Sequence, residues 1–363
     1  MNSKQRVHAA LNRQPTDRVP IFMWFHPDTA RRFSQLLEIP PEFLGDAMGN
    51  DIKQAWVNNN YAMEGIVHER DGESHVDFWG IKWVKGGPYN QPHGFPLAGA
   101  TEAEMLAYRF PEDKMEFLLR LMDPVVEAEA DYFIGCDVSP CVFEMYWRLR
   151  GLEDAMIDIA ANPALTRKMF RRCADFAYKL SVEACARFPL DWLWTGDDAA
   201  GQTSMLMSPA SWRDLVKPLL AEIFEVAKSR SLWLAFHSCG AVRPIIPDLI
   251  EIGMDVLNPV QCTCPGMDPL ELKREFGDDI AFMGGVDTQG VLPNGTAADV
   301  RRATRRLIDG MTEGGGYILA ASHTIPPETL DDNVFAMYEE AGITREEIFD
   351  RAAQIRSRLD APS

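Results

Sequence analysis

One short stretch carries two metal-binding side chains at a spacing suited to chemistry: His237-Ser238-Cys239, followed by Gly240. Five apolar residues, 232–236, precede it and predict a buried strand. On an extended chain, alternate side chains project to the same side, so the imidazole and the thiol could bind one cation such as zinc. The alternative is that Cys239 is an ordinary core cysteine, because buried thiols are commonly inert.

The elements that must position this pair follow a repeating pattern. Eight apolar segments, most of them separated by helical patterns, predict strands near residues 21–25, 52–57, 131–137, 193–198, 232–237, 256–260, 280–285 and 317–321. This alternation favours an α/β fold, a single (β/α)8 TIM barrel spanning residues 1–363. A doubly wound sheet is the alternative, and it is disfavoured because no Gly-rich phosphate-binding turn follows the first predicted strand.

Residues 66–96 interrupt the pattern with alternating aromatic and polar positions and a turn at Gly86-Gly87-Pro88. They predict a hairpin insertion in the N-terminal part of the chain that lies over one end of the core. Its role is either packing or that of a lid or partner surface.

In a TIM barrel the active site forms where the strands end, so the residues that follow each apolar run are the candidates. Every predicted strand ends at a polar side chain, although loop starts are generally polar and each residue could also be a cap or turn residue. These residues are His26, Asn58, Asp137, Asp197, Asp198, His237, Cys239, Asn258, Gln261, Asp287, Gln289, Ser322 and His323.

His323, at the end of the eighth predicted strand, is the candidate third metal ligand. With His237 and Cys239 it would form a His2Cys set with a fourth position open, which is typical of catalytic zinc. Cys262 and Cys264, just after the sixth strand, are rivals for that place.

Three carboxylates are candidates for catalysis. Asp197 and Asp198 could each orient a ligating histidine, act as a general acid or base, or cap the following helix. Glu144 lies in an apolar and aromatic run and needs a partner there. Several tryptophans near strand ends or in the insertion could wall an aromatic pocket: Trp24, Trp79, Trp83 and Trp194.

Composition limits the function. The chain has 363 residues, is 46% hydrophobic and carries a formal net charge of -18, which disfavours nucleic acid and anionic membranes as partners. No apolar run approaches the roughly 18 residues needed to cross a bilayer, and the start is amphipathic, so we expect a cytoplasmic protein. The seven scattered cysteines indicate reduced thiols.

The motifs resemble those of the uroporphyrinogen decarboxylase superfamily over nearly the whole chain. They are Asp197-Asp198, Gln202, Ser208-Pro209, the H-S-C-G turn, Asn258-Pro259-Val260-Gln261, Gly266-Met267-Asp268-Pro269, Gly284-Gly285-Val286-Asp287-Thr288-Gln289 and Ile325-Pro326-Pro327-Glu328-Thr329. The resemblance implies a (β/α)8 barrel with one of two chemistries. These are cofactor-free decarboxylation of uroporphyrinogen and corrinoid-dependent methyl transfer at a zinc site.

Two departures favour the methyltransferase branch. The arginine-rich motif of the decarboxylases is replaced by Met23-Trp24-Phe25-His26-Pro27-Asp28, and a substrate with many carboxylates would meet an acidic protein. The methyltransferases resemble this chain at H-x-C and add a Cys before the I-P-P turn, where this chain has His323. Imidazole in place of thiolate raises the charge of the zinc centre by one unit and makes it a stronger Lewis acid.

We therefore predict a zinc-dependent methyltransferase that moves a methyl group from a small donor, such as a methoxylated aromatic, to a corrinoid. The chain lacks a D-x-H-x-x-G corrinoid motif, so the corrinoid arrives free or on a partner protein; a second copy of the chain is the other expected partner. The residues assigned to substrate binding are Trp24, His26, Asn58, Gln202, Asn258, Gln261 and Asp287.

Three alternatives stay open at this point. The chain could transfer methyl from a methylcobamide to a thiol such as coenzyme M, or to a pterin. It could be a metal-independent decarboxylase of uroporphyrinogen or another acid. It could also be a noncatalytic module whose metal is structural, with Cys264 completing a closed four-ligand site.

Overall fold

The computed structural model describes residues 1–58 and 68–360. The chain divides into two compact units. We call Met1–Lys53, Ala130–Phe133 and Val256–Ser363 the terminal unit, and Gln54–Glu129 with Ile134–Asp255 the central unit. The single-domain organisation expected from the sequence stays a prediction.

The strands of the described residues are, in chain order, β1 Ile52–Trp56, β2 Ser74–Val76, β3 Lys82–Gly86, β4 Tyr89–Gly94, β5 Phe133–Asp137, β6 Trp192–Gly196, β7 Trp233–His237, β8 Val256–Val260, β9 Ala281–Val286 and β10 Tyr317–Ala321.

The α-helices of the same residues are α1 Ser3–Leu11, α2 Pro27–Leu37, α3 Leu44–Met48, α4 Glu102–Ala107, α5 Met115–Leu119, α6 Asp123–Val126, α7 Phe143–Arg150, α8 Leu152–Ala161, α9 Pro163–Arg187, α10 Pro209–Leu215, α11 Lys217–Lys228, α12 Ile246–Glu251, α13 Pro269–Phe276, α14 Val291–Asn294, α15 Ala297–Met311, α16 Asp331–Glu340 and α17 Arg345–Leu359.

In the central unit, β5, β6 and β7 form parallel pairs. In β7, Leu234, Ala235 and Phe236 are buried, as the apolar run 232–236 predicted, and Trp233 is half-buried. All five residues of β6 are buried as well, because a parallel sheet is covered on both faces. Helices α7 to α9 connect β5 to β6, and α10 and α11 connect β6 to β7. The predicted α/β class is confirmed.

In the terminal unit, β8, β9 and β10 are also parallel neighbours. The first predicted strand, residues 21–25, was wrong as a regular strand, because only isolated bridges form there, Ile21 to Leu319 and Phe25 to Ile325. Side chains interrupt the ladder: the N–H of Ile21 donates to the Asp51 carboxylate and that of Met23 to the Asn50 amide oxygen. Closure into one eight-stranded barrel stays a prediction.

Part of the predicted insertion forms a three-stranded antiparallel sheet, β2–β3–β4. The buried Asp77, at the turn between β2 and β3, accepts hydrogen bonds from the N–H groups of Trp79 and Ile81 and from Trp83 Nε1. Residues 66 and 67 of the predicted insertion lie outside the described residues, and its place over one end of the core stays a prediction.

The segment between β6 and β7 forms two helices, α10 and α11, because Pro218 lies at the start of the second and has no N–H to donate. Among the described helices, none combines the length and the apolar character needed to cross a lipid bilayer.

Candidate metal centre

His237 is the last residue of β7, and Cys239 follows two residues later. Their side chains lie on the same side, as the alternation along an extended chain predicted, with Cys239 Sγ 3.5 Å from His237 Nε2. Both side chains are half-buried. The strand thus delivers an imidazole and a thiol to one point at the end of the sheet of the central unit.

Asp198 joins this pair from the end of β6, the neighbouring strand. Its Oδ1 accepts a hydrogen bond from the backbone N–H of Cys239 at 2.8 Å and lies 3.9 Å from His237 Nε2. The possible donor atoms of Asp198, His237 and Cys239 all lie within 4.8 Å of one another. A carboxylate, an imidazole and a thiol at this spacing are a suitable set for a divalent cation.

The adjacent Asp197 has a different environment. It is fully buried and accepts hydrogen bonds from the N–H groups of Val142, Phe143 and Glu144 at 3.1, 3.0 and 2.8 Å. These groups open α7, whose first N–H groups have no partner within the helix, so Asp197 stabilises a helix N-terminus. Burial raises the pKa of Asp197 to about 7. These contacts support a helix-stabilising role for Asp197, but for α7 and not for the following helix as expected. The predicted catalytic role stays a prediction.

Glu144 connects α7 to the metal-binding group. Its Oε2 accepts the backbone N–H of Asp198 at 3.1 Å, and its Oε1 accepts from Arg148 Nη2 at 2.6 Å, one helical turn away. Burial raises the pKa of Glu144, and the Arg148 guanidinium opposes that shift. The sequence predicted that a buried Glu144 needs a partner. Arg148 and the backbone N–H of Asp198 are its partners.

Two glycines allow the backbone to approach closely here. A Cβ on Gly196, the last residue of β6, would lie 2.9 Å from Ser139 Cβ and 3.1 Å from both Cβ and the carbonyl oxygen of His237, so glycine permits this close approach of the neighbouring segments. Gly240 has a φ of +87°, and a Cβ there would lie 2.4 Å from the carbonyl oxygen of Gly201. The H-S-C-G turn therefore needs its glycine both for conformation and for space.

Two predicted substrate-binding residues belong to the central unit. Asn58 is buried, and its Nδ2 donates to the carbonyl oxygens of Val138 and Pro140, each at 3.1 Å. Gln202 is exposed in the loop after β6. Asn58 thus stabilises the loop after β5, and substrate binding by either residue stays a prediction.

The other predicted site residues belong to the terminal unit. His26 is buried and its Nδ1 accepts the N–H of Asp28 at the start of α2, while the ring of Trp24 packs edge-on against Phe22. The carboxylate of Asp287 accepts the N–H groups of Gln289, Gly290 and Val291. His26 and Asp287 therefore have local structural roles, because each accepts backbone N–H groups at the start of a helix or in a loop.

Further along the terminal unit, Asn258 is buried in the middle of β8 and Gln261 is buried just after its end. Asn258 Nδ2 lies 3.5 Å from the carbonyl oxygen of Met283. His323 is exposed, with its Nδ1 3.1 Å from Thr324 Oγ1. Its role as a metal ligand stays a prediction, as do the substrate contacts of Asn258 and Gln261.

The rival ligands Cys262 and Cys264 follow β8 in the same unit. Burial raises the pKa of the Cys262 thiol to about 11, and it also raises that of Cys264. Both thiols therefore ionise less readily than an ordinary cysteine.

The fold and the site define an α/β protein with parallel strands and a candidate metal centre at the strand ends of its central unit. Residues 101–342 match the family model for uroporphyrinogen decarboxylase (URO-D). The chain belongs to this family, as its motifs indicated.

Two curated relatives are named as a methyltransferase and as a decarboxylase. A methylated-thiol–coenzyme M methyltransferase from Methanosarcina mazei is 26% identical over 200 residues, which cover 54% of this chain and 51% of that protein. A uroporphyrinogen decarboxylase from Thermus thermophilus is 24% identical over 247 residues, which cover 66% of this chain and 67% of that protein. The chain thus spans about half of the first relative and two thirds of the second.

The fold is similar to that of a solved methyltransferase from Methanosarcina mazei. The TM-score is 0.63 at 19% sequence identity, and the match covers 94% of this chain and 98% of the other. At this identity the likeness concerns the fold alone.

Proposed function

We propose that this chain is a zinc-dependent methyltransferase that moves a methyl group from a small donor, such as a methoxylated aromatic, to a corrinoid. Membership in the URO-D family and the similarity to a methyltransferase of this family support the reaction class. The observation that carries the proposal is the pairing of Cys239 Sγ and His237 Nε2, 3.5 Å apart at the end of β7.

This pair fits zinc. Zinc–sulfur and zinc–nitrogen bonds at a tetrahedral angle place the two ligand atoms about 3.5 Å apart, which is the separation found here. Imidazole and thiolate are also the ligand types that zinc prefers. His237 and Cys239 would hold the metal.

In the proposed reaction the bond between the donor oxygen and the methyl carbon breaks, and the carbon forms a bond to Co(I) of the corrinoid substrate. The cobalt supplies the electron pair of the new bond, and the oxygen keeps the old pair and takes up one proton. Bound zinc would supply Lewis-acid polarisation of that oxygen.

The chain's own residues orient one another around the metal-binding pair. Glu144 fixes the backbone of Asp198, whose carboxylate in turn fixes the N–H of Cys239. We propose that Asp197, Asp198 and Glu144 serve either this orientation or the proton transfer to the leaving oxygen.

The proposal is tested by incubating the zinc-loaded protein with methoxylated aromatic donors and chemically reduced cobalamin. We expect the Co(I) absorbance to be replaced by that of methylcobalamin, with release of the corresponding phenol. The His237→Ala variant should be inactive. Methyl transfer by wild-type protein stripped of zinc at an undiminished rate would contradict the proposal.

One observation favours a second candidate, methyl transfer from a methylcobamide to a thiol: the M. mazei relative is named for coenzyme M. Incubation with methylcobalamin and coenzyme M separates the two directions. Under this second function, coenzyme M alone should bind to the zinc protein and release a proton. A donor ether would release none.

A further inference from the structure

The carboxylate of Asp198 lies beside both atoms of the His237–Cys239 pair. Its Oδ1 is 3.9 Å from His237 Nε2, and all three donor atoms lie within 4.8 Å of one another. We infer that Asp198 is itself a protein ligand of the metal, which completes a His-Cys-Asp set within the central unit. This inference rests on the proposed function only for the presence of a metal at the His237–Cys239 pair.

The existing hydrogen bond of Asp198 is compatible with ligation. Oδ1 accepts the N–H of Cys239, but an ionised carboxylate has about four lone-pair positions on its two oxygens. One accepted hydrogen bond therefore leaves capacity for a cation. Donor atoms that share a tetrahedral zinc are about 3.4 Å apart for nitrogen and oxygen and about 3.6 Å apart for sulfur and oxygen. Asp198 Oδ1 would therefore approach His237 Nε2 by about 0.5 Å, and the carboxylate would approach Cys239 Sγ from within 4.8 Å.

The surroundings hold Asp198 in place from two sides. Its backbone N–H donates to Glu144, which is itself held by Arg148, and its side chain is tied to the H-S-C-G turn. The neighbouring Asp197 fixes the start of α7, the helix that carries Glu144. A ligand fixed in this way needs little reordering when the metal binds, which favours affinity.

Ligation by Asp198 changes the charge expected for the site. A thiolate and a carboxylate balance the two positive charges of zinc, whereas one thiolate with two imidazoles leaves one positive charge. The methyltransferases that this chain resembles have a cysteine where it has His323. The Asp198 carboxylate would supply the negative charge of that cysteine thiolate, but through a harder oxygen donor. Ligation also decides between the roles predicted for Asp198, because a metal-bound carboxylate is a poor proton carrier.

The competing role is purely structural, in which Asp198 only accepts the N–H of Cys239. Asp198→Asn separates the two roles, because the amide oxygen can still accept that hydrogen bond but lacks the charge of a metal-binding carboxylate. Asp268→Asn is the matched control, since Asp268 also accepts backbone N–H groups, at the start of α13, and asparagine caps helices equally well.

The experiment measures zinc affinity by competition with a chromophoric chelator. We expect Asp198→Asn to weaken zinc binding by more than about 100-fold, because losing a residue that only orients a ligand costs about 10- to 100-fold. Asp268→Asn should match wild type, and a loss of about 100-fold or less in Asp198→Asn would overturn the inference.

Infrared spectroscopy gives a second measurement that needs no variant. In wild-type protein with carboxyl-13C-labelled aspartate, zinc binding should change the splitting between the asymmetric and symmetric carboxylate stretches. A zinc-minus-apo difference spectrum without aspartate bands would overturn the inference even if Asp198→Asn failed to fold.

The outcomes keep the inference and the proposed function apart. Wild-type protein that binds no zinc would refute both. Zinc binding that is insensitive to Asp198→Asn would refute the inference and leave the methyltransferase proposal standing. Binding weakened by more than about 100-fold in Asp198→Asn, without methyl transfer from any donor, would support the ligand and refute the function.

Discussion

The strand ends of the two units carry the same kinds of polar residue but use them differently. In the central unit, Asp198, His237 and Cys239 bring three possible ligand atoms together. In the terminal unit, the carboxylate of Asp287 accepts three N–H groups of its own loop, and Ser322 Oγ donates to the carbonyl oxygen of Val260. A polar residue after a strand is therefore a weak indicator of function until its backbone contacts are known.

The same distinction separates two neighbours in the chain. Asp197 is fully buried and satisfies three N–H groups of α7, while Asp198 is half-buried and faces His237 and Cys239. Four predictions test whether this division into structural and metal-binding strand ends is correct.

The largest expected effect is on zinc affinity in the central unit. His237→Ala should weaken zinc binding about 1,000-fold, equivalent to about 4 kcal/mol, because it removes a ligand, and chelator competition measures it. Cys264→Ala in the terminal unit should leave the affinity unchanged. A loss of zinc affinity in His323→Ala as large as in His237→Ala would show that the terminal unit supplies a ligand. It would contradict the structural role given to the strand ends of that unit.

The next effect is on stability at Asp197. Asp197→Ala should lower the free energy of unfolding of the metal-free protein by about 3 kcal/mol, because three buried N–H groups lose their acceptor. Chemical denaturation measures the change. The exposed Asp214, paired with Arg167, is the control, and Asp214→Ala should change stability by less than about 1 kcal/mol. A similar loss in both variants would refute the capping role of Asp197.

A third prediction concerns pH and Asp137 at the end of β5. Burial raises the pKa of Asp137 to about 8 from an ordinary value of 3.8, with Glu144 adding to the shift and Arg148 opposing it. Between these values the folded protein keeps a proton that the unfolded chain releases, so stability falls as pH rises. The contribution is about 1.4 kcal/mol per pH unit between pH 5 and 7.

The comparison of wild type with Asp137→Asn isolates this contribution, because the amide cannot titrate. Denaturation at several pH values should show that the stability of wild type relative to Asp137→Asn declines from pH 5 to pH 7. A constant difference across that range would mean that Asp137 is ionised in the folded protein.

The smallest effect is expected at Asp287. Asp287→Ala should destabilise the protein by about 1 kcal/mol through the loss of its loop contacts, whereas Asp287→Asn should lose less because the amide oxygen still accepts. Thermal unfolding measures both. Zinc affinity should be the same in the two variants, and a marked loss in either would give Asp287 a role at the metal.

Much of the fold followed from local patterns. The runs before Gly196 and His237 predicted β6 and β7, since a continuous apolar segment of that length suits a strand covered on both faces. Residues 21–25 fit the same pattern, yet side-chain acceptors from Asn50 and Asp51 take up the N–H groups there. Nothing within that segment reveals acceptors that lie some 25 to 30 residues away in the chain.

Those parts of the site that depend on short-range geometry could be predicted from the sequence. The H-x-C spacing placed the imidazole and thiol on one side because a strand alternates its side chains. The motifs also predicted the family, and the match of residues 101–342 to the URO-D family model confirmed it. The turn at Gly240 followed from the freedom of glycine to adopt a positive φ.

The different roles of Asp197 and Asp198 depend on long-range packing. The two are chemically identical neighbours, and their side chains point to opposite sides because they leave the end of one strand in succession. One carboxylate meets the start of α7, more than fifty residues earlier in the chain, and the other meets a turn about forty residues later. Partners at such separations are set by how strands and helices pack, which no local pattern encodes.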